Sequence, residues 1–383
     1  MNGTGPGDER RGRAVIVGAS LSGLMTGLAL SRAGITVTML ERVGGFPRTG
    51  AALGGVDEGL LERITGRRRS DKDPTACRPP ASRVQTWTAV HARLRAAADA
   101  DPRIELRYNT PVQSAGQDAH SAWVTTSAHE VVCGDVVIGA DGHRSVVRRS
   151  VSPGQPDATF AGYVLWIGLT DESAIPAPPR WPRDLDIVHS GDNYLFGYPL
   201  PGHDGSAVPG SRQIGWGWFD ASRNELLCDT GCVVGHVVQH SLAAADIPET
   251  TFRQLAAEAD DLWPAFWRDA ILDGIERRAV IGVPIAEYVP DRLVNGRLAL
   301  VGDAAHVPTP MTGSGFSASL DDAEAMARSV AAGACGPALA QALRRYEQER
   351  LSSVRHMVQS GQQFSQSFSR PGPLNPVSAC VSP

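Results

Sequence analysis

The chain has 383 residues, of which 42% are hydrophobic and 20% charged. That composition supports about two packed domains and excludes a wholly disordered or collagen-like chain. Lys+Arg number 36 against 41 Asp+Glu, a net charge of −5, so no nucleic-acid partner is expected, and with no apolar run near the roughly 18 residues of a membrane span, no membrane is expected either.

Residues 1–12 are polar, lack a signal-peptide core and read as a disordered tail; a cytoplasmic protein is expected. Residues 13–18 (RAVIVG) form a short apolar run that predicts a buried parallel strand. A helix over 21–33 ends at Gly34, and a second strand follows over 36–41, which completes a βαβ unit. Residues 53–82 are loop-rich, and 87–98 have helical spacing. Short alternating stretches between 104 and 132 predict a β-meander, and 135–140 another buried strand. After about residue 155, YVLWIGL, DIVHS, YLFGYPL and QIGWGWFD read as antiparallel strands of a sheet with one wet face. Helices are predicted at 229–241 and 252–270, a strand at 297–301, and helices at 317–332 and about 337–365. The fold class is therefore mixed α/β. A Rossmann-like parallel-sheet domain is split over 13–155 and 280–335. A mainly antiparallel domain is inserted at 156–279, and 336–383 form a C-terminal helix and tail.

The six cysteines, Cys77, Cys133, Cys228, Cys232, Cys335 and Cys380, form no CxxC pair, and reduced thiols are expected. Cys228, Cys232, His236 and His240 recur every four residues. On one helix they would span about 18 Å at ~1.5 Å per residue, too far for one ion, so no metal is expected.

Gly18-Ala19-Ser20-Leu21-Ser22-Gly23 sits between a predicted strand and a predicted helix. This is the G-x-G-x-x-G context with Ser20 in place of the middle glycine. The first glycine permits a tight turn and the last permits close helix–strand packing. Phosphates would rest on the helix N-terminus, where unpaired N–H groups favour anions. Glu41 follows at the end of the second strand, placed to accept ribose hydroxyls. These features point to a bound dinucleotide. A nucleophile elbow needs G-x-S-x-G, so a hydrolase reading of Ser20 is poor.

Two further stretches complete a pattern: Asp141-Gly142-His143-Arg144-Ser145 with Arg148, and Gly302-Asp303-Ala304-Ala305-His306 with Pro310, Gly313, Ser314 and Gly315. Together with the first, they resemble the three ordered motifs of the single-component FAD-dependent aromatic hydroxylases, the para-hydroxybenzoate hydroxylase-like family. The serine in the first motif, Gly162-Tyr163-Val164-x-Trp166 and Tyr198-Pro199-Leu200-Pro201-Gly202 resemble the 2,6-dihydroxypyridine hydroxylase branch.

The resemblance implies an FAD domain with a substrate sheet, the flavin ring between them. By position, Gly18, Ser20, Leu21, Ser22 and Gly23 would take the phosphates, Glu41 and Arg42 the adenosine half, and Val112 the adenine. Asp141, Gly302 and Asp303 would attend the cofactor, and Pro310 and Gly313-Ser314-Gly315-Phe316 its flavin end. The family has an arginine on the pyrophosphate where this chain has Trp87, so phosphate charge is expected elsewhere, with Arg48 a candidate. The implied cycle uses NADH or NADPH, O₂ and a flavin C4a-hydroperoxide that hydroxylates a small aromatic or heteroaromatic ring. The site must exclude water and assist deprotonation. His189 and Tyr198 are the catalytic candidates, and Trp216, Trp218 and Pro310 the substrate contacts. A core role is the competing reading for each Trp, and a structural role for His306. The run Arg67-Arg68-Arg69 is expected to be a solvated loop rather than an NADPH dock. Monomer and homodimer both stay open. Baeyer–Villiger oxidation or epoxidation, or a plain FAD oxidase, are the alternatives. A halogenase would need an active-site lysine, which Lys72 serves poorly.

Overall fold

The computed structural model describes residues 12–45, 52–53, 56, 58–65, 85–176, 178, 182–331 and 334–368. Arg48, Arg67-Arg68-Arg69, Lys72, Cys77 and Cys380 lie outside these residues. In chain order the main elements are β1 (Arg13–Val17), α1 (Leu21–Arg32), β2 (Thr36–Leu40), α2 (Trp87–Asp99), β3 (Ile104–Arg107), β4 (Val112–Gln117), β5 (Ala122–Thr126), β6 (Val131–Gly134) and β7 (Val136–Gly139). Then come β8 (Thr159–Asp171), β9 (Asp186–Ser190), β10 (Asn193–Leu200), β11 (Gln213–Asp220), α3 (Glu249–Leu262) and α4 (Ala265–Glu276). The chain ends on β12 (Val280–Glu287), β13 (Val294–Asn295), β14 (Leu298–Leu300), α5 (Gly315–Ser329) and α6 (Pro337–Phe368).

The first sheet has the order β13-β14-β7-β1-β2-β3, parallel except where β13 meets β14. Its central strands are apolar on both faces because helices cover both. Ala14, Val15, Ile16 and Val17 are all buried, and so is nearly every side chain of α1. A β4–β5–β6 meander stands beside this sheet, as predicted, while β3 joins the parallel sheet instead.

The second sheet, β9-β10-β11-β8-β12, is antiparallel throughout. Alternation divides its side chains between two faces. One carries Trp166, Trp216, Trp218 and Leu195 and packs in one core with Phe252, Trp263 and Trp267 of the α3–α4 layer. The other carries Tyr163, Leu165, Phe219 and Ile285 and packs against Met311 and Phe368.

Two helix predictions fail for local reasons. Residues 229–241 hold a small hairpin, Val233–Val234 with Val237–Val238, because Gly231 and Gly235 take left-handed φ of 69° and 60°. The stretch 252–270 is two helices, α3 and α4, broken at Trp263-Pro264. Cys133, Cys232 and Cys335 are free thiols, but Cys228 is disulfide-bonded, against the expectation of reduced thiols throughout.

Candidate active site

The three sequence motifs meet at the C-terminal edge of the parallel sheet, where open α/β sheets bind their ligands. The Ala140 N–H donates to the Val17 carbonyl (2.8 Å), and the Gly18 N–H to Leu40 (2.8 Å). Gly18 has φ +100°, and a Cβ there would stand 2.4 Å from the Ala140 oxygen. Gly302 has φ +57°, and a Cβ would stand 2.5 Å from the Ser22 Cβ. Only glycine at both positions lets the turns touch. Helices α1 and α5 open onto the same edge, and neither has a side-chain hydrogen bond capping its N-terminus. Their first-turn N–H groups are left for a ligand or water.

Glu41 is buried, and its carboxylate accepts from the Ala19 N–H (2.9 Å) and the Val43 N–H (3.1 Å). It thus clamps the glycine-rich turn onto the end of β2. Asp303 is exposed on this edge, although protein atoms crowd it. Burial raises its carboxyl above the ordinary range, opposed by His306, His143 and Arg148. Asp141 accepts from Ser145 Oγ and from the N–H groups of Val146 (2.7 Å) and Val147 (3.3 Å), so it holds its own turn together. Arg148 was absent from the sequence-derived site. Its buried guanidinium donates to the carbonyls of Pro156 (2.8 Å), Ala304 (3.1 Å), Asp303 (3.4 Å) and His143, and lies 4.3 Å over the Tyr288 ring. It staples the second motif to the third.

Trp87 begins α2 and stacks on His91 (4.5 Å between centroids, 12° apart), whose Nε2 is 3.1 Å from the Ala19 carbonyl. An imidazole therefore touches the glycine-rich turn, and only the i,i+4 spacing from Trp87 would have signalled it. Arg42 is exposed, and Val112 is half-buried where β4 starts. Pro310 is exposed and opens a short turn, Pro310–Thr312, capped by the Thr309 hydroxyl. Gly313 follows in the left-handed region (φ +61°) with open space where a Cβ would project. The Phe316 side chain belongs to the core of the first sheet, which leaves its backbone for a ligand.

The second sheet turns its Tyr163 face to this turn: the Tyr163 hydroxyl hydrogen-bonds Thr309 Oγ1 (2.7 Å) and Ser365 Oγ (3.0 Å). This face does not carry the two tryptophans expected to touch substrate. Trp216 and Trp218 point the opposite way, Trp216 against Gly274 of α4 and Trp218 edge-on to Trp263 at 5.7 Å. Both are core residues. The face toward the turn is built of Tyr163, Phe196, Phe219, Phe364 and Phe368, of which the sequence reading named only Tyr163, within a motif and without a role. Tyr198 lies on this face, nearly parallel to Phe196 (6.0 Å, 16°). His189 stands exposed on edge strand β9, 6.4 Å from the Tyr194 ring. His306 is fully buried against Asp322 (2.7 Å). Among the described residues no group of three His, Cys, Asp or Glu is placed to hold a metal. A surface cavity of ≈ 390 Å³ lined by Arg13, Thr36, Glu105 and Arg107 lies at the opposite edge of the parallel strands.

A family model described as "FAD binding domain" matches residues 12–62 and 236–361. The 2,6-dihydroxypyridine 3-monooxygenase of Paenarthrobacter nicotinovorans is 29% identical over 338 residues, covering 82% of each chain. An FAD-dependent urate hydroxylase of Klebsiella pneumoniae is 27% identical over 90% of this chain and 88% of its own. The solved structure of 2,6-dihydroxypyridine-3-hydroxylase from Arthrobacter nicotinovorans superposes with a TM-score of 0.75 at 21% identity, covering 96% of both chains. The chain resembles the para-hydroxybenzoate hydroxylase-like flavoprotein hydroxylases. The resemblance read from the three motifs, the expected FAD and the mixed α/β fold are thereby borne out, and the flavoprotein takes its place among the FAD-dependent monooxygenases. No helix among its described residues is long and apolar enough to cross a membrane.

Proposed function

We propose that this flavoprotein hydroxylates a small aromatic or heteroaromatic molecule at the expense of NADH or NADPH and O₂. The observation that carries the reading is the aromatic face of the second sheet, tied through Tyr163 to the turn that leads into the third motif. The cradle fits FAD: Gly313 leaves open space, Asp303 is exposed on the same edge, and the α1 and α5 N-termini have no side-chain cap on their donors. Glu41 would hold the ribose, the N–H groups of Leu21, Ser22 and Gly23 the pyrophosphate, and the backbone of 313–316 the flavin edge, with Pro310 beside the ring. When bound, FAD supplies the redox chemistry, taking a hydride from the nicotinamide and activating O₂. The chain's own part is to exclude water and hold the ring. Phe196, Phe219, Phe364 and Phe368 form a dry apolar wall for this. Tyr198 is the hydroxyl on that wall and our candidate hydrogen-bond partner for a ring substituent. His189, exposed at the sheet edge, would act only on a proton delivered there. Similarity to a dihydroxypyridine and a urate hydroxylase favours hydroxylation over Baeyer–Villiger oxidation or epoxidation.

The test is a screen of phenols and hydroxy-heteroaromatics for substrate-stimulated NAD(P)H oxidation under ¹⁸O₂. Incorporation of one labelled oxygen into a ring product is expected. NAD(P)H consumption that yields H₂O₂ alone with every ring tried would instead identify an oxidase.

A further inference from the structure

The glycine-rich turn of the first motif is held by a hydrogen bond that its sequence pattern does not require. Helix α1 opens its ladder at Ser20, whose carbonyl accepts from the Leu24 N–H (2.9 Å). The Ala19 carbonyl stands one residue ahead of that ladder, and His91 Nε2 lies 3.1 Å from it. A carbonyl oxygen only accepts, so Nε2 carries the hydrogen and donates. On the other side of the same residue, the Ala19 N–H donates to the Glu41 carboxylate (2.9 Å). Both peptide groups of Ala19 are therefore tied to side chains, one reaching from the end of β2 and one from α2.

The tie to His91 has a direction. Among the described residues no peptide bond is cis, and in a trans peptide the carbonyl and the following N–H point to opposite sides. Fixing the Ala19 carbonyl toward α2 thus turns the Ser20 N–H away from it and sets the entry into α1. Ser20 is extended there (φ −81°, ψ −170°), and its side chain makes no cap. The N–H groups of Leu21, Ser22 and Gly23 follow as first-turn donors, where the helix favours an anion. Donors fixed before a ligand arrives lower the ordering cost of binding it. The imidazole is itself held. It stacks on Trp87 one helical turn earlier, at 4.5 Å and 12°. Thr86 Oγ1 caps the start of α2 by accepting from the Ala89 N–H (3.1 Å), and Val90, Leu94, Ala97 and Ala98 anchor the helix in the core it shares with α1. A capped and packed helix, not a loop, delivers the ring to the turn.

From this we infer that His91 is a positioning residue of the diphosphate site: its Nε2–H sets the Ala19–Ser20 peptide so that the first-turn donors of α1 face the diphosphate of a bound dinucleotide, while Trp87 holds the ring in place. The inference rests on the FAD reading for the ligand's identity, but the clamp belongs to the chain itself. Two variants test it. His91→Phe keeps a ring to stack on Trp87 and removes the donor. His91→Gln returns a donor near the same place without the ring. Calorimetry on the flavin-free chain measures FAD and ADP, which share the diphosphate, and thermal melts accompany each variant. We expect His91→Phe to weaken both ligands about tenfold, by the same factor, with an unchanged melt. His91→Gln should bring both back to within about threefold of the parent. Parent-like binding by His91→Phe, or His91→Gln binding as weakly as His91→Phe, would overturn the inference. Weaker binding that tracks a lowered melting temperature in both variants would also overturn it, because His91 would then only hold the helix. A parent that shows the ADP pattern but takes up no FAD would sink the proposed function and leave the clamp standing.

Discussion

At the scale of single residues, Trp216 and Trp218 lie on the face of β11 that turns away from the third motif. The run QIGWGWFD offers two tryptophans and two glycines in strict alternation, and size drew attention to the tryptophans. The glycines carried the signal. A strand gives up side chains on one face only where something else must lie against it, and Phe196 and Tyr198 lie there. Which face looks toward the third motif was not legible, because it is set by pairing partners far apart in sequence. Trp216 is 1% exposed and wedged between Gly168 of β8 and Gly274 of α4. Trp216→Ala should therefore cost about 3–5 kcal/mol of stability, read as a lowered urea midpoint. A variant that melts like the parent but loses ring binding would return Trp216 to the substrate wall.

At the scale of elements, the three motif turns were legible because glycines at sharp turns and helix starts are local signals. The staples between them were not. Asp322 on α5 accepts from the Gly302 N–H (3.0 Å), from His306 Nε2 (2.7 Å) and from Arg350 Nε of α6 (2.9 Å). Three elements are thus joined at one carboxylate. Burial alone would raise it, but His306, Arg350 and the Gly302 N–H hold it below the ordinary carboxylate range. A depressed native value means stability that is present above about pH 4 and lost as pH falls through the native value. Asp322→Asn should be less stable at pH 7 and should show a shallower loss of stability on acidification. Urea melts from pH 3 to 7 check this; parallel curves for the two proteins would contradict it. Helix α6 bears on the site through Gly361, where a Cβ would meet Thr309 Cγ2 at 2.7 Å. Gly361→Val should push the helix off the Thr309 turn and weaken FAD about tenfold in a flavin fluorescence titration. Unchanged affinity would show that the turn does not shape the cofactor seat.

At the scale of the whole molecule, the interrupted parallel sheet followed from where buried strand runs recur in the sequence, at 13–17, 136–139 and 298–300. The return of the chain to that sheet after a long antiparallel excursion is what sets the Thr309 turn against Tyr163 of the second sheet. In the proposed cofactor seat the parallel sheet contributes Gly18, Glu41, Gly302 and Asp303, and the antiparallel sheet contributes the aromatic face around Tyr163. α6 closes one side, its buried stripe running from Leu339 through Tyr346 and Arg350 to Gly361 and Ser365. The account stands on FAD occupying that seat, held at its adenosine end by Glu41. The direct measurement is to load the purified protein with excess FAD, separate it by gel filtration, and count flavin per chain from the visible spectrum. About one flavin per chain is predicted, with Glu41→Ala folded but largely stripped of colour. A colourless parent, or a Glu41→Ala variant as yellow as the parent, would contradict the account.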